Sequence, residues 1–214
     1  MLVKICGITR AVDALASAEA GADMLGLVFA KSPRRIEVEK ARRIINQIPY
    51  GTAWVGVFQD QTLDETAGIN ELLGLDYIQL HGREPPEFCN LLFERTGAGI
   101  IKAVNVKGLK DLDDIKRYSL DCVSFILLDS QSGEKGGGTG RTFPWEEVEG
   151  FDEFGKPLIV AGGLNCFNVR EAIRRLAPAG VDVSSGVEVD NSPGIKDISL
   201  VRRFISEAKA YTTR

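Results

Sequence analysis

Ser124 to Trp145 reads SFILLDSQSGEKGGGTGRTFPW, and its reading decides the fold. Phe125–Leu128 is a short apolar run with aromatic and β-branched side chains, the pattern of a buried strand. The run stops at one carboxylate, Asp129. A loop of Ser, Gly and Lys follows, with GGGTG at its far end. That loop is too glycine-rich to pack a core and is expected to be mobile. In an α/β protein, a charged residue at the carboxyl end of a buried strand marks the usual place for chemistry. The plainer alternative is that Asp129 caps a turn or helix.

Working outward, the same kind of run recurs at Leu2–Cys6, Met24–Ala30, Ala53–Phe58, Tyr77–His81, Ile100–Val104, Cys122–Asp129, Pro157–Gly162 and Val181–Ser185. Amphipathic stretches separate them: Arg10–Ala20, Val38–Gln47, Leu63–Leu73, Glu84–Glu94, Leu109–Tyr118, Cys166–Leu176 and Ile195–Tyr211. The segment after Pro144 has room for a turn or two of helix. Strands alternating with helical patterns mean βαβ units and a parallel sheet. Eight such runs predict a closed (β/α)8 TIM barrel, one domain over residues 1–214. No linker or low-complexity segment divides the chain.

Strand parity then sorts the side chains. Val3 and Ile5 share one face of the first strand, Lys4 and Cys6 the other. In the sixth strand Ile126 and Leu128 oppose Phe125, Leu127 and Asp129. In the eighth, Val181 and Val183 oppose Asp182 and Ser184. With the aliphatic faces under the helices, Lys4, Cys6, Asp129 and Asp182 point into the barrel, as do Tyr77, Gln79 and His81. Cys6, His81 and Asp129 end their strands and belong at the mouth. Lys4 and Asp182 lie deeper, where they are placed to pair, and such a buried pair is more often structural than catalytic.

The composition narrows the function. Hydrophobic residues at 44% and charged residues at 26% are ordinary for a globular chain. A net charge of -4 gives no basic surface for nucleic acid or anionic membrane. No apolar run is long enough to span a bilayer, and MLVKICGITR lacks the apolar region of a signal peptide, so a cytoplasmic protein is expected. Cys6, Cys89, Cys122 and Cys166 form no CxxC, which argues for free thiols in a reducing compartment. His81 is the single histidine, so a multi-histidine metal site is excluded and no metal is expected.

Four features are candidates for a site. Cys6, followed at once by Gly7, is either a small buried hydrophobe or a thiolate base or nucleophile. The loop AKSPRRI carries Arg34 and Arg35, which are either solvated or, in one case, a bidentate clamp for a carboxylate. VAGGLN and SSGVEVD end the seventh and eighth strands, and their glycines let backbone N–H groups approach an anion, with a short helix expected near Val187. Those two loops are the common phosphate site of a barrel. GGGTG is not a Walker motif, because no GK[ST] follows.

VKICGIT, SPR, QLHG, LLDS, GGTG, AGGL and SSGVE, in that order from residue 3 to residue 188, resemble the phosphoribosylanthranilate isomerase family of tryptophan biosynthesis. The resemblance implies a cofactor-free Amadori rearrangement of N-(5'-phosphoribosyl)anthranilate to 1-(2-carboxyphenylamino)-1-deoxyribulose 5-phosphate. Carried over by motif, it implies Cys6 as general base, Asp129 as general acid and Arg34 on the anthranilate carboxylate. It implies His81 and Asp182 as further substrate-facing groups, and Gly162, Gly163, Ser185 and Gly186 as the phosphate site. A small-molecule substrate is the expected partner, and monomer or homodimer stays open. Two other readings remain. One is the related isomerase of histidine biosynthesis, which is expected to use carboxylates where Cys6 stands; the other is a barrel that binds a phosphorylated ligand without turning it over. For the isomerase, Cys6 must work deprotonated and Asp129 protonated, against reference values near ~8.5 and ~3.9. The site is therefore expected to lower the thiol, raise the carboxyl, or both.

Overall fold

The computed structural model describes residues 1–48, 51–106, 115–130 and 155–210. The strands are β1 (Leu2–Cys6), β2 (Met24–Val28), β3 (Ala53–Phe58), β4 (Tyr77–Leu80), β5 (Gly99–Val106), β6 (Val123–Ser130), β7 (Leu158–Val160) and β8 (Gly180–Val183). They pair in chain order, all parallel, and β1 closes on β8 through the register Lys4↔Asp182. The closed parallel barrel expected from the alternation of runs is thus the observed fold. The helices among the described residues are α1 (Ala11–Glu19), α2 (Val38–Ile45), α3 (Leu63–Leu73), α4 (Pro86–Thr96), α5 (Val169–Leu176) and α6 (Ile198–Lys209). The expected helix start at Leu109, the loop from Gln131 to Trp145 and the turn after Pro144 lie outside the described residues.

The parity argument holds strand by strand. Val3, Ile5, Leu25, Leu27, Ile78, Leu80, Ile126, Leu128, Val181 and Val183 join the helices in one continuous apolar layer. Met24, Val55, Ile101, Ala103, Leu127, Ile159 and Ala161 form a second cluster that fills the barrel. The two clusters share no residue because successive side chains on each strand leave on opposite faces. One irregularity lies between β5 and β6. The register shifts at Ile100/Ile101, so Ile101 faces Phe125 and Asn105 faces Asp129.

Helix starts follow side-chain chemistry more than apolar periodicity. Helix α3 opens on a capping box, Thr62 and Glu65 each accepting from the other's backbone N–H, and closes on Gly74 in the left-handed region. Helix α5 begins at Val169, not at the expected Cys166. The Asn165 carboxamide oxygen accepts from Phe167 N and that of Asn168 accepts from Asn165 N, both at 2.8 Å, so these residues form a turn first. Helix α6 likewise begins three residues after the expected Ile195, because the Asp197 carboxylate caps Ser199 N at 2.8 Å and Leu200 N at 3.2 Å. Helix α4 begins at Pro86 rather than Glu84. The Glu84 carboxylate is instead committed to the buried Lys102 ammonium at 2.8 Å and to the Gly82 and Asp60 N–H groups. That cluster ties down the chain just after β4, where His81 sits.

Candidate active site

The carboxyl ends of the strands gather the polar side chains. Cys6 ends β1 and packs with Val28, Ala30 and Val57. Gly26 on β2 makes room for it, since a Cβ there would stand 2.8 Å from the Cys6 sulfur. One layer deeper, the Lys4 ammonium donates to the Asp182 carboxylate at 2.9 Å, with Lys4 almost fully buried. The expected pair is therefore present. Asp182 reaches the site first as the partner of Lys4.

The electrostatics of Cys6 depart from expectation in direction. Burial pushes its thiol above the ordinary range; the ammonium groups of Lys4 and Lys196 pull it down, but do not prevail, and Asp182 adds to the upward push. The cation that was to favour the thiolate is there, one residue pair away on the same face. What parity did not show was how completely the barrel closes round the sulfur. Cys89, Cys122 and Cys166 are buried free thiols, also pushed up by burial, Cys89 to about 12.

Arg34 lies beside Cys6. Gly7 has φ +78°, and a Cβ there would meet the Arg34 Cδ at 2.6 Å and the Ser184 Oγ at 3.0 Å. The residue after Cys6 must therefore be small, because it is where the β2 loop and the β8 loop converge. Arg34 is held from behind. Its Nε and Nη2 donate to the two oxygens of Glu188 at 2.8 and 2.7 Å. Glu188 also accepts from Gly194 N and from the buried Lys196 ammonium, each at 3.0 Å. Burial alone would raise the Glu188 carboxyl; the Arg34 hydrogen bonds and Lys196 outweigh it and hold Glu188 below the usual carboxylate range. Burial lowers the Lys196 ammonium, and Glu188 restores it only in part. Arg35 is different. It is 59% exposed against 13% for Arg34, and it approaches Glu37 only at 3.9 Å. Of the adjacent arginines, Arg34 is the one built into the mouth.

Across the opening, Asp129 near the end of β6 meets His81, which lies just past β4. Their contact is Nε2 to Oδ2 at 3.2 Å. The Nδ1 of His81 lies 3.1 Å from the Gln79 side-chain nitrogen. Gln79 is 1% exposed, and its Oε1 has no hydrogen-bond partner among the described residues.

The two glycine loops touch. Gly162 and Gly163 have φ of +79° and +67°, and the short helix expected near Val187 is a 3-10 turn over Ser185–Val187. A Cβ on Gly186 would stand 1.9 Å from the Leu164 carbonyl oxygen, so only glycine permits this approach. Gly162 and Gly163 on one loop and Ser185 and Gly186 on the other thus lie close together at the ends of β7 and β8.

Sequence reasoning had placed Cys6, Asp129, Arg34, His81, Asp182 and the glycine loops, and all are at the same end of the barrel. It missed Glu188 and Lys196 as the support of Arg34, and Gln79 as the partner of His81. Glu188 was visible only as the last letter of SSGVE. Among the described residues, no cluster of three His, Cys, Asp or Glu side chains has metal-binding geometry, and no helix is long and apolar enough to cross a membrane.

The sequence profile described as N-(5'phosphoribosyl)anthranilate (PRA) isomerase matches residues 3–207. An N-(5'-phosphoribosyl)anthranilate isomerase of Listeria monocytogenes is 45% identical over 209 residues, 98% of each chain. The crystal structure of phosphoribosyl anthranilate isomerase from Thermotoga maritima superposes with a TM-score of 0.90 at 41% identity, covering 99% of this chain and all, 100%, of that one. A phosphoribosyl anthranilate isomerase solved in complex with reduced 1-(o-carboxyphenylamino)-1-deoxyribulose 5-phosphate gives 0.86 at 39% identity, over 99% and 100% of the two chains. With fold and sequence in agreement over nearly its whole length, the chain belongs to the N-(5'-phosphoribosyl)anthranilate isomerase family.

Proposed function

We infer that the protein converts N-(5'-phosphoribosyl)anthranilate to 1-(2-carboxyphenylamino)-1-deoxyribulose 5-phosphate, the aldose-to-ketose step of tryptophan biosynthesis. The observation that supports the residue roles is that Cys6 and Asp129 both stand at the carboxyl ends of their strands, β1 and β6, on the same end of the closed barrel. Asp129 gives its proton to the ring oxygen of the aminoribofuranose. The C1–O bond breaks as the nitrogen lone pair forms the iminium. Cys6 as thiolate then removes the proton from C2, giving an enolamine; a proton adds at C1 as the proton on the C2 hydroxyl is lost, which gives the ketone. Each proton lost is replaced, and the oxidation of C2 is matched by the reduction of C1. The stoichiometry therefore needs no external cofactor.

The remaining groups hold the substrate. Arg34 keeps the Nη1 side of its guanidinium for the anthranilate carboxylate while Glu188 fixes the other edge. The loops at Gly162, Gly163, Ser185 and Gly186 take the phosphate. Asp182 acts through Lys4 at the floor of the mouth. Lys4 and Lys196 also supply positive charge that favours the thiolate at Cys6 against burial. The protein works in the cytoplasm on a small-molecule substrate, as a monomer or homodimer; a phosphoribosylanthranilate isomerase from Thermotoga maritima is described as dimeric and has been solved as monomers.

Turnover is read as loss of anthranilate fluorescence. The isomerase predicts a first-order decay that depends on enzyme concentration. Binding of the substrate with no decay would reduce the protein to a phosphosugar-binding barrel.

A further inference from the structure

The contact between His81 and Asp129 raises a question of protons. Gln79 and His81 can each present either a donor or an acceptor to the other, which leaves two self-consistent arrangements. In the first, the Gln79 NH2 donates to Nδ1, and Nε2–H donates to the Asp129 carboxylate. In the second, the Gln79 carbonyl accepts from Nδ1–H, and one further proton lies between Nε2 and Oδ2. The arrangements differ by that proton and by a half-turn of the Gln79 amide. Such a terminal torsion is soft. Its far side is the informative part. Oε1 is buried and unpartnered among the described residues, so nothing anchors the amide in either orientation. Gln79 is 1% exposed while the His81 side chain is 28% exposed, so the amide is shielded and the ring can still exchange a proton with solvent.

We propose that Gln79 and His81 are positioning residues that load Asp129 with the proton it delivers, the Gln79 amide turning over to accept Nδ1–H whenever the His81–Asp129 pair takes up one proton. The proposal rests on the reading of Asp129 as general acid. The step balances. A hydronium ion gives its proton to Nδ1 and leaves as water, the Nε2–H bond breaks as an O–H bond forms at Oδ2, and Asp129 passes that proton to the sugar ring oxygen. The charged or titratable groups around the mouth are Lys4 and Cys6 on β1, Arg34 after β2, Asp60 after β3, Tyr77 on β4, Glu84 after β4, Lys102 on β5, and Asp182, Glu188 and Lys196 on and after β8; Lys102 is paired with Glu84 and donates to the Leu80 and Gly82 carbonyls on either side of His81. Among the described residues only Asp129 touches His81 as an ionisable partner.

The chain has one histidine, so the nitrogen-15 pattern of the imidazole in the labelled enzyme belongs to His81 alone. Lowering the pH should move the ring in one step from the Nε2–H tautomer to a form with hydrogen on Nδ1. Gln79→Met removes both the donor to the neutral ring and the acceptor for Nδ1–H; because the hydrogen bond from the charged ring is the stronger of the two, the step should move to lower pH, with turnover falling about tenfold per unit of displacement and KM unchanged. Gln79→Glu presents only acceptors and should push the step to higher pH. Opposite displacements in the two variants cannot come from loss of packing. A step at the same pH in both variants and the wild type would overturn the proposal. Asp129→Asn separates the two claims. If it abolishes turnover while the His81 step ignores Gln79, only the loading role fails. If it leaves turnover intact, Asp129 is not the acid and the loading role falls with it.

Discussion

Replacing Lys4 by methionine tests both the core and the chemistry of the mouth. Lys4 and Asp182 are 1% and 10% exposed and 2.9 Å apart. Removing one partner of such a pair leaves a buried, uncompensated carboxylate and costs about 3–5 kcal/mol. In a domain of this size each kcal/mol is worth ~2–4 °C in Tm, so Lys4→Met should melt about 6–20 °C below the wild type. Adding Asp182→Leu removes the stranded charge as well. Replacement of a whole buried pair by apolar residues is often neutral or stabilising, so the double variant should recover most of the loss. Turnover should not recover with it. After burial, Lys4 is the strongest influence on Cys6, and it favours the thiolate. Without Lys4 the thiol is held still more firmly, whether or not Asp182 remains. Thermal unfolding followed by circular dichroism reads the first effect and anthranilate fluorescence the second. A single variant that melts with the wild type would show that the pair carries no stability. A double variant that is both stable and fully active would show that Lys4 does nothing for Cys6.

The other expected outcomes are simpler. Cys6→Ala and Asp129→Asn should each lower kcat by orders of magnitude with little change in ligand affinity, and wild-type turnover in either refutes the mechanism. Arg34→Ala should raise KM, while Arg35→Ala, exposed and loosely paired, should do little; reversed behaviour in steady-state assays would mean the wrong arginine has been assigned. Glu188 sits below the usual carboxylate range, so its contribution to stability is full above the ordinary glutamate value of ~4.3 and is lost as the pH falls toward its lower folded value. Glu188→Gln should therefore flatten the acid side of the stability curve in denaturant titrations, and an unchanged acid side would refute the pairing. The profile of kcat/KM should be bell-shaped, and because burial raises Cys6 its alkaline limb should lie above ~8.5 and vanish in Cys6→Ser; a limb that survives that change belongs to another group.

The barrel was legible because parallel strands buried on both faces leave continuous apolar runs, and parity assigns each side chain to one of two environments. That rule needs no knowledge of neighbours. It sent Val3 and Ile5 to the helices and Lys4 and Cys6 inward, as observed. The helix starts after Leu164 and Val189 were not legible to the same rule. Periodicity registers where apolar residues recur, but Asn165, Asn168 and Asp197 decide the first turn by capturing backbone N–H groups. A carboxamide ahead of an amphipathic stretch reads the same whether it caps the helix or delays it.

The site divides along a similar line. Residues on strands were placed by parity: Cys6, Asp129, Asp182 and the row Tyr77, Gln79, His81. Residues on loops were not, because a loop has no period. Arg34 and Arg35 are adjacent, carry the same charge and follow the same proline, so no local property separates them. What separates them is Glu188, which lies 154 positions away on the loop after β8. Closure of β1 on β8 brings that loop over Gly7, and the absence of a side chain at Gly7 lets Arg34 lie against it. Glu188 then meets two cations, Arg34 from one side and Lys196 from the other, and satisfies a Gly194 N–H besides. A carboxylate shared in this way is fully committed. It orients Arg34 without neutralising the mouth, since two positive charges face one negative. The surplus positive charge lies beside Cys6 and beside the loops read as the phosphate site. A substrate that carries both a carboxylate and a phosphate is what such a surplus suits, and the thiolate needed at Cys6 draws on it too.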